Sequence, residues 1–539
     1  MKTVNWVVAA AVAASLAGCG GAEEIASPGS GGNITINTGT SSSASSSSST
    51  NANLATPAAG CPTIANPTAL RDDGTITGPT GTYRVCALPG TITANTTLER
   101  LSGVLYALDG RVNVGADLGA AVAGTGVTLT IQPGVIIYAK TGVSWLAVNR
   151  GNRISAIGTA ARPIVFTSRD NVLGLANDAS QGQWGGVVLL GRAPITDCIA
   201  GGATPGTEAC ERDTEGVATT EPARYGGATP ADNSGTLRYV QIRYSGYVLS
   251  GNSELQSLTN EGVGSGTSIS YIQSHNSSDD AFENFGGNVS MKYLVLTGAD
   301  DDNIDVDTGW RGTLQYVIAV QKTTGTPDSI IELDSANSLE ENTPRTYLKL
   351  ANFTFVHRNP ASGNNAAMLF RGGADASLVN GVVTTQMACL RLHNNGADTG
   401  AGDNIVNILS TDASIQKVGA PVFRSVVMQC SATPFLGTGG TGGAGAPTIQ
   451  QVTDTFGSGS NNNNSAFTAT LTSTFVNGAN ETAVTATDPK TIDSLFDTTN
   501  YVGAVRNASD TWYAGWTCNS STANFGSTSS DCTSLPSLN

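Results

Sequence analysis

Short runs of alternating apolar and polar residues, each closed by Gly, Asn or Asp, recur along most of the chain. This is the pattern of half-buried β-strands separated by tight turns. It predicts strands over residues 163–168, 184–191, 237–244, 267–273, 289–297, 314–321, 353–358 and 378–384, and no long stretch carries helical spacing. Several runs also repeat in kind. Tyr271-Ile272-Gln273 matches Tyr293-Leu294-Val295 at an offset of 22 residues, and Tyr316-Val317-Ile318 continues the series 23 residues later. At the same offset of 22, Asp279-Asp280-Ala281-Phe282-Glu283 matches Asp301-Asp302-Asn303-Ile304-Asp305. A second match, Leu129 to Gly134 with Leu146 to Gly151, has an offset of 17.

Periods near 22 residues suit one turn of a solenoid, so the fold class expected is all-β, a parallel β-helix. An antiparallel sandwich also gives many short strands, but hairpins do not make residues repeat in kind at one spacing. Residues 61–436 are assigned to the coil, with Ile269, Val289 and Leu314 filling its interior. Residues 437–539 are read as a Gly/Asn-rich loop followed by the end of the solenoid and its cap. Residues 197–232 break the period and are expected to form a loop. Tyr239, Tyr271, Tyr293 and Tyr316 recur with the rungs and are expected to stack.

The first residues change the picture of where the chain works. Lys2 precedes an apolar run over residues 4–16, too short to span a bilayer, and Leu16-Ala17-Gly18-Cys19 follows. Residues 1–18 therefore read as a secretory signal, with Cys19 as a lipidation site. Residues 19–60, rich in Ser, Thr, Gly and Asn, have little to bury and read as a flexible tether. Beyond Cys19 the chain holds eight cysteines, an even number in an exported protein. Pairing in sequence order would join Cys61 to Cys86, Cys198 to Cys210, Cys389 to Cys430 and Cys518 to Cys532, although spacing alone does not fix connectivity. The net charge is −15 and no basic cluster occurs, which argues against a nucleic-acid partner.

Stacking the matched acidic segments puts Asp279 over Asp301, Asp280 over Asp302 and Glu283 over Asp305, about 4.8 Å apart. Carboxylates that close must be protonated, solvated or bridged by a cation. Calcium, with oxygen ligands at about 2.3–2.6 Å in flexible arrangements, suits such a stack. A solvated row of corner residues is the alternative, since Asp and Asn favour turns. His275, His357 and His393 lack metal spacing and read as structural.

The series Ile157-Gly158-Thr159, Pro163 to Ser168, Trp184-Gly185-Gly186, Asp279-Asp280 to Gly286-Gly287 and Trp516-Thr517 resembles a family of bacterial surface lipoproteins. These carry a right-handed parallel β-helix related to the pectate-lyase superfamily. The resemblance implies that architecture, an outer-membrane location through the lipid on Cys19, and exposure at the cell surface. The first functional expectation is a non-enzymatic surface module that binds a glycan or other extended polymer beside an outer-membrane transporter, with calcium holding the acidic rungs. The alternative is a calcium-dependent lyase or hydrolase, with Arg311 as base or Asp280 and Asp302 as acid and base, and with Trp310 and Arg311 touching the ligand. The His-Gly and Arg-Ile-Lys segments of polygalacturonases have no counterpart here. A structural or adhesive surface protein is the third expectation.

Overall fold

The computed structural model describes residues 54–539, apart from residues 122–123, 125, 252, 326, 336–338, 360–365, 395–410 and 440–444. The signal segment, Cys19 and nearly all of the tether lie outside the described residues. Residues 53–539 form one compact unit. It is a right-handed parallel β-helix: from the strand Gly235–Arg243 onwards each coil adds one strand to an 11-stranded sheet and one to a 15-stranded sheet, whereas the first coils add two short strands to the larger sheet. Both sheets are parallel throughout the coil body; among the described residues, the opening hairpin, Arg71–Gly78 with Gly81–Ala87, is the one antiparallel pair within them.

The predicted 22-residue register is the one observed. Ile272 pairs with Leu294, which pairs with Val317 in the next strand. The long strands turn a corner in mid-course at one residue with positive φ: Tyr239, Tyr271, Tyr293, Tyr316, Asn352, Asn380 and Ser425, at 50–62°. These residues stack in one column. The four tyrosines put their rings 4.4, 4.4 and 4.6 Å apart, centroid to centroid. Left-handed backbone costs a residue with a Cβ roughly 1–2 kcal/mol, and stacked rings return about 0.5–1.5 kcal/mol per pair. The stack thus offsets much of the strain at the corner.

Inside the coil, Leu258, Phe282, Ile304, Ile331, Met368, Leu390 and Phe435 form one apolar column, joined by Ile269, Val289 and Leu314 from other sides. All four disulfides join the cysteines paired in sequence order.

Two expectations are corrected. The match at an offset of 17 is not a rung: Leu129 pairs with Ile154 in one sheet, whereas Leu146 pairs with Val187 in the other. Alternation followed by a turn glycine occurs at every strand, so it does not by itself define a coil. The second correction concerns residues 437–539. The solenoid ends with the strand Phe435–Gly439, and the helix Ile449–Phe456 closes it, with Phe456 packed on Phe423 and Phe435. The remaining residues, 457–539, run back outside the 15-stranded sheet as a strap towards the first coils.

Side-chain amides fasten this strap as if they were backbone. Asn380 both donates to and accepts from the peptide of Thr487 (2.8 and 2.9 Å), Gln315 does so with Asp497 (3.0 and 2.8 Å), and Gln273 with Cys518 (3.0 and 2.7 Å). The buried Arg243 guanidinium donates to the Cys532 and Ser534 carbonyls, and the Leu538 carbonyl accepts from the amide of Gly103. Trp516 is fully buried, edge-on to Tyr239 and Tyr271. Trp516→Ala should cost about 3–5 kcal/mol, read as a lowered melting temperature in calorimetry, whereas truncation of the exposed Leu54 side chain should leave it nearly unchanged.

Candidate acidic site on the outer sheet face

Alternation along the strands of the 11-stranded sheet sets the site. Phe282, Ile304 and Ile331 point into the coil, so Glu283, Asp305 and Glu332, one residue on, point out. The register stacks Glu283 on Asp305 and Asp305 on Glu332, while Phe285 lies over Asp307. The turns that lead into these strands carry Asp279-Asp280 and Asp301-Asp302, stacked as the 22-residue offset predicts. The amide of Asp302 donates to Asp280 Oδ1 at 2.8 Å, and the amides of Ala281 and Phe282 donate to the carbonyls of Asp302 and Asn303. Gly286 and Gly287, both at positive φ, end the first acidic strand; a Cβ on Gly287 would strike the Val263 backbone.

The carboxylates are close, and those at the centre of the row are poorly hydrated, whereas Asp301 at its edge is exposed. Asp280 and Asp302 are only 5% and 3% exposed, and Glu283 8%. Carboxylate oxygens of Asp279, Asp280 and Asp301 lie within 4.8 Å of one another, and so do those of Asp280, Glu283 and Asp305. The two clusters share Asp280. Burial, then the neighbouring Asp301, pushes Asp279 up to about 7. Burial with Asp328 pushes Asp301 up to about 6, and burial with Asp334 pushes Asp307 up to about 7. Asp280, Glu283, Asp302 and Asp305 are raised well above the ordinary range, first by burial and then by a neighbouring carboxylate: Asp279 for Asp280, Asp305 for Glu283, and Glu332 for both Asp302 and Asp305.

The donor set fits a hard cation. Every group is an oxygen, and Oδ1 of Asp302 and of Asp305 are buried without a hydrogen-bond partner. A cation held there would supply the countercharge that the row lacks.

Other predicted residues fall elsewhere. Trp310 is fully buried in the interior core and presents no face to a ligand, which corrects its assignment as a ligand-binding residue. Its place beside Gly309 at a packed corner explains the burial. Arg311 is not brought to the acidic row. Its guanidinium lies over the Tyr347 ring and donates to the Arg345 carbonyl at 2.8 Å, because the chain has already turned towards the other sheet. Lys322 is ion-paired to Asp300 at 2.9 Å. His275 and His357 are buried, and His393 is bonded to Thr438 beside Arg391.

Sequence reasoning placed Asp307 close to the row but missed Glu332, Asp334 and Arg371. The signal was present: Ile304-Asp305-Val306-Asp307 recurs as Ile331-Glu332-Leu333-Asp334, displaced 27 residues because the intervening turn is longer. It also missed the wall on one flank. Residues 192–234, stapled by Cys198–Cys210, cover the neighbouring part of this sheet, with Tyr225 against Phe285 and the hydroxyl of Thr214 donating to the buried Glu261.

A solenoid with an apolar interior and a carboxylate-rich outer face on one sheet defines a class of parallel β-helices. A family model for the pectate-lyase-like β-helix domain matches residues 90–517, and the chain belongs to that family. No curated protein and no solved structure matches the chain significantly.

The raised carboxyls set a sign for stability. Their neutral forms are favoured in the fold, so their contribution is intact below about pH 4 and is lost progressively as pH rises to about 7. In chelator, the melting temperature should therefore fall across that window, and Asp280→Asn should flatten the fall. A chelated melting temperature that climbed instead would contradict the crowding described.

Proposed function

We propose that the protein is a calcium-dependent module that binds an extended acidic polysaccharide along the outer face of its 11-stranded sheet. The observation that carries this reading is the pair of three-carboxylate clusters sharing Asp280 on two stacked rungs. Calcium would be held by Asp279, Asp280 and Asp301 and by Asp280, Glu283 and Asp305, with Asp302 beside them. An ion there lowers the repulsion of the row and leaves coordination positions that the carboxylates of a polymer would complete. Successive rungs about 4.8 Å apart give a repeating surface that suits a repeating ligand. The fold family is compatible with polysaccharide binding and with lyase chemistry alike.

Binding rather than cleavage is favoured by the basic residues. A lyase base must reach the proton it removes within about 3 Å. Arg311 is turned to Tyr347, and Lys322 and Arg371 are each ion-paired to carboxylates. The Leu16 to Cys19 segment supports a lipid anchor and a place at the bacterial outer membrane, where a polymer could pass to a transporter.

Calorimetric titration of Ca²⁺ into chelator-treated protein should give binding that disappears in Asp280→Asn/Asp302→Asn, with a rise in melting temperature that the variant lacks. Polygalacturonate should then be retained by the protein in calcium and released by chelator, without unsaturated products. Absence of binding heat together with an unchanged melting temperature would sink the calcium site; accumulation of unsaturated products would replace the binding module with a lyase.

A further inference from the structure

We infer that the flap formed by residues 192–234 is latched to the 11-stranded sheet by an un-ionised carboxyl, that of Glu261, and that the latch weakens as pH rises, freeing one flank of the acidic row. The inference stands apart from the calcium reading above, because no residue of the latch belongs to the two carboxylate clusters.

Glu261 lies in the strand Leu258–Val263 and is fully buried. Its register partners are Leu190 and Phe285, so no charged residue stands above or below it in the sheet. Over it lies the flap, in which Arg212–Asp213 pairs with Arg224–Tyr225 as a short hairpin. The hairpin sets Thr214 against the carboxyl: Thr214 Oγ1 is hydrogen-bonded to Glu261 Oε2 and lies 3.2 Å from the Ala223 carbonyl oxygen. Glu261 Oε1 is buried without a partner. A hydroxyl has one hydrogen and two lone pairs. With Glu261 ionised, Thr214 must donate to it, and a full charge is buried on that single donor. With Glu261 protonated, the bond reverses: the acid donates to Thr214, Thr214 donates on to Ala223, and a neutral carbonyl oxygen is all that goes unpaired. Burying an unpaired charge costs far more than burying an unpaired neutral acceptor, so the closed flap selects the acid.

The surrounding groups do not compensate an ionised Glu261. From the flap, Glu215 and Asp213 add like charge, Asp213 being ion-paired to Arg224 at 3.2 Å, and Tyr225 adds a buried phenol. From the first coils comes a positive group, Arg111, but its guanidinium donates to the Glu221 and Pro222 carbonyls at 2.9 and 3.1 Å and lies over the Trp145 ring. Burial, opposed by the Thr214 bond and reinforced by Glu215, therefore holds Glu261 well above the ordinary carboxylate range. The acid is favoured while the flap is closed, so the latch is at full strength below about pH 4 and weakens progressively as pH rises. The Cys198–Cys210 disulfide does not respond to pH, so release frees the hairpin around Thr214 and leaves the stapled part of the flap in place. That hairpin carries Glu215, whose charge acts on Asp279 and Glu283. Its release therefore removes a like charge from the edge of the acidic row as well as part of its wall.

The test is hydrogen exchange of the full chain between pH 5 and 9, followed by mass spectrometry and expressed as protection relative to the intrinsic rate at each pH. Peptides covering residues 211–226 of the natural protein should lose protection as pH rises, by up to about tenfold per unit, the limit for one proton released on opening. The strand Val422–Gln429, at the far end of its sheet, should show no such loss. Glu261→Gln, whose amide donates to Thr214 at any pH, should keep the flap protected across the whole range, whereas Thr214→Val should lower its protection at every pH. Flap protection that is independent of pH in the natural protein, or that falls equally in Glu261→Gln, would overturn the latch and leave the calcium reading untouched. Should Glu261→Gln fail to fold, Glu261→Met, of similar length and unable to ionise, takes its place: a flat profile supports the latch, and a fall like that of the natural protein overturns it.

Discussion

Everything in this molecule follows from parallel strands stacked in register at about 4.8 Å. Whatever a rung places in a column, the next rung meets at that distance, so like stands on like. Apolar columns gain from this, as the interior from Leu258 to Phe435 shows. Tyrosines at the strained corner gain as well, since each ring covers the face of the next. Carboxylates do not. The same geometry that builds the core therefore builds a high local charge density on the outside, and the acidic face is the part of the fold that asks for something further.

Stacking also leaves the 15-stranded sheet with an outer face that is partly apolar and needs cover. The strap supplies it, packing Phe475, Trp512 and Trp516 against Val295, Ile318 and the tyrosine column. Its attachment through Gln273, Gln315 and Asn380 uses side-chain amides where a further β-strand would use peptide groups. An added strand would present peptide groups at a sheet edge, whereas these amides hold the strap across a sheet face. The two sheets are in this way given different tasks: one is sealed by the chain's own C-terminal residues, and the other keeps its polar residues turned outwards.

The coil was legible because its signal is translational. Tyr271, Tyr293 and Tyr316, and the doubled aspartates, repeat at the rung spacing, and that repetition gave both the register and the stacking of Asp280 on Asp302. The strands Phe282–Gly287 and Ile304–Asp307 were not legible as strands. Their outward positions carry acids, and Gly286-Gly287 closes one of them, so the local pattern resembled turns. The 17-residue match failed for the converse reason: local alternation was present, but no rung relation lay behind it. Arg311 and Trp310 sit close in sequence to the acidic strands, yet the chain leaves the sheet at Gly309, so nearness in sequence put them on the wrong wall. Arg371 was out of reach because a longer turn interrupts the period between Asp307 and Glu332.

The strap has a consequence for the order in which the molecule is made. Coils need only their immediate neighbours, so they can form one after another as the chain emerges. The residues that grip Gly103, Arg243 and Gln273 follow every coil, and they bind to surfaces laid down hundreds of residues earlier. Closure is thus a single late event that ties the final part of the chain to the first coils. Until then the stack is open to fraying at either end, and afterwards neither end can loosen without first peeling away a segment fastened along most of its length.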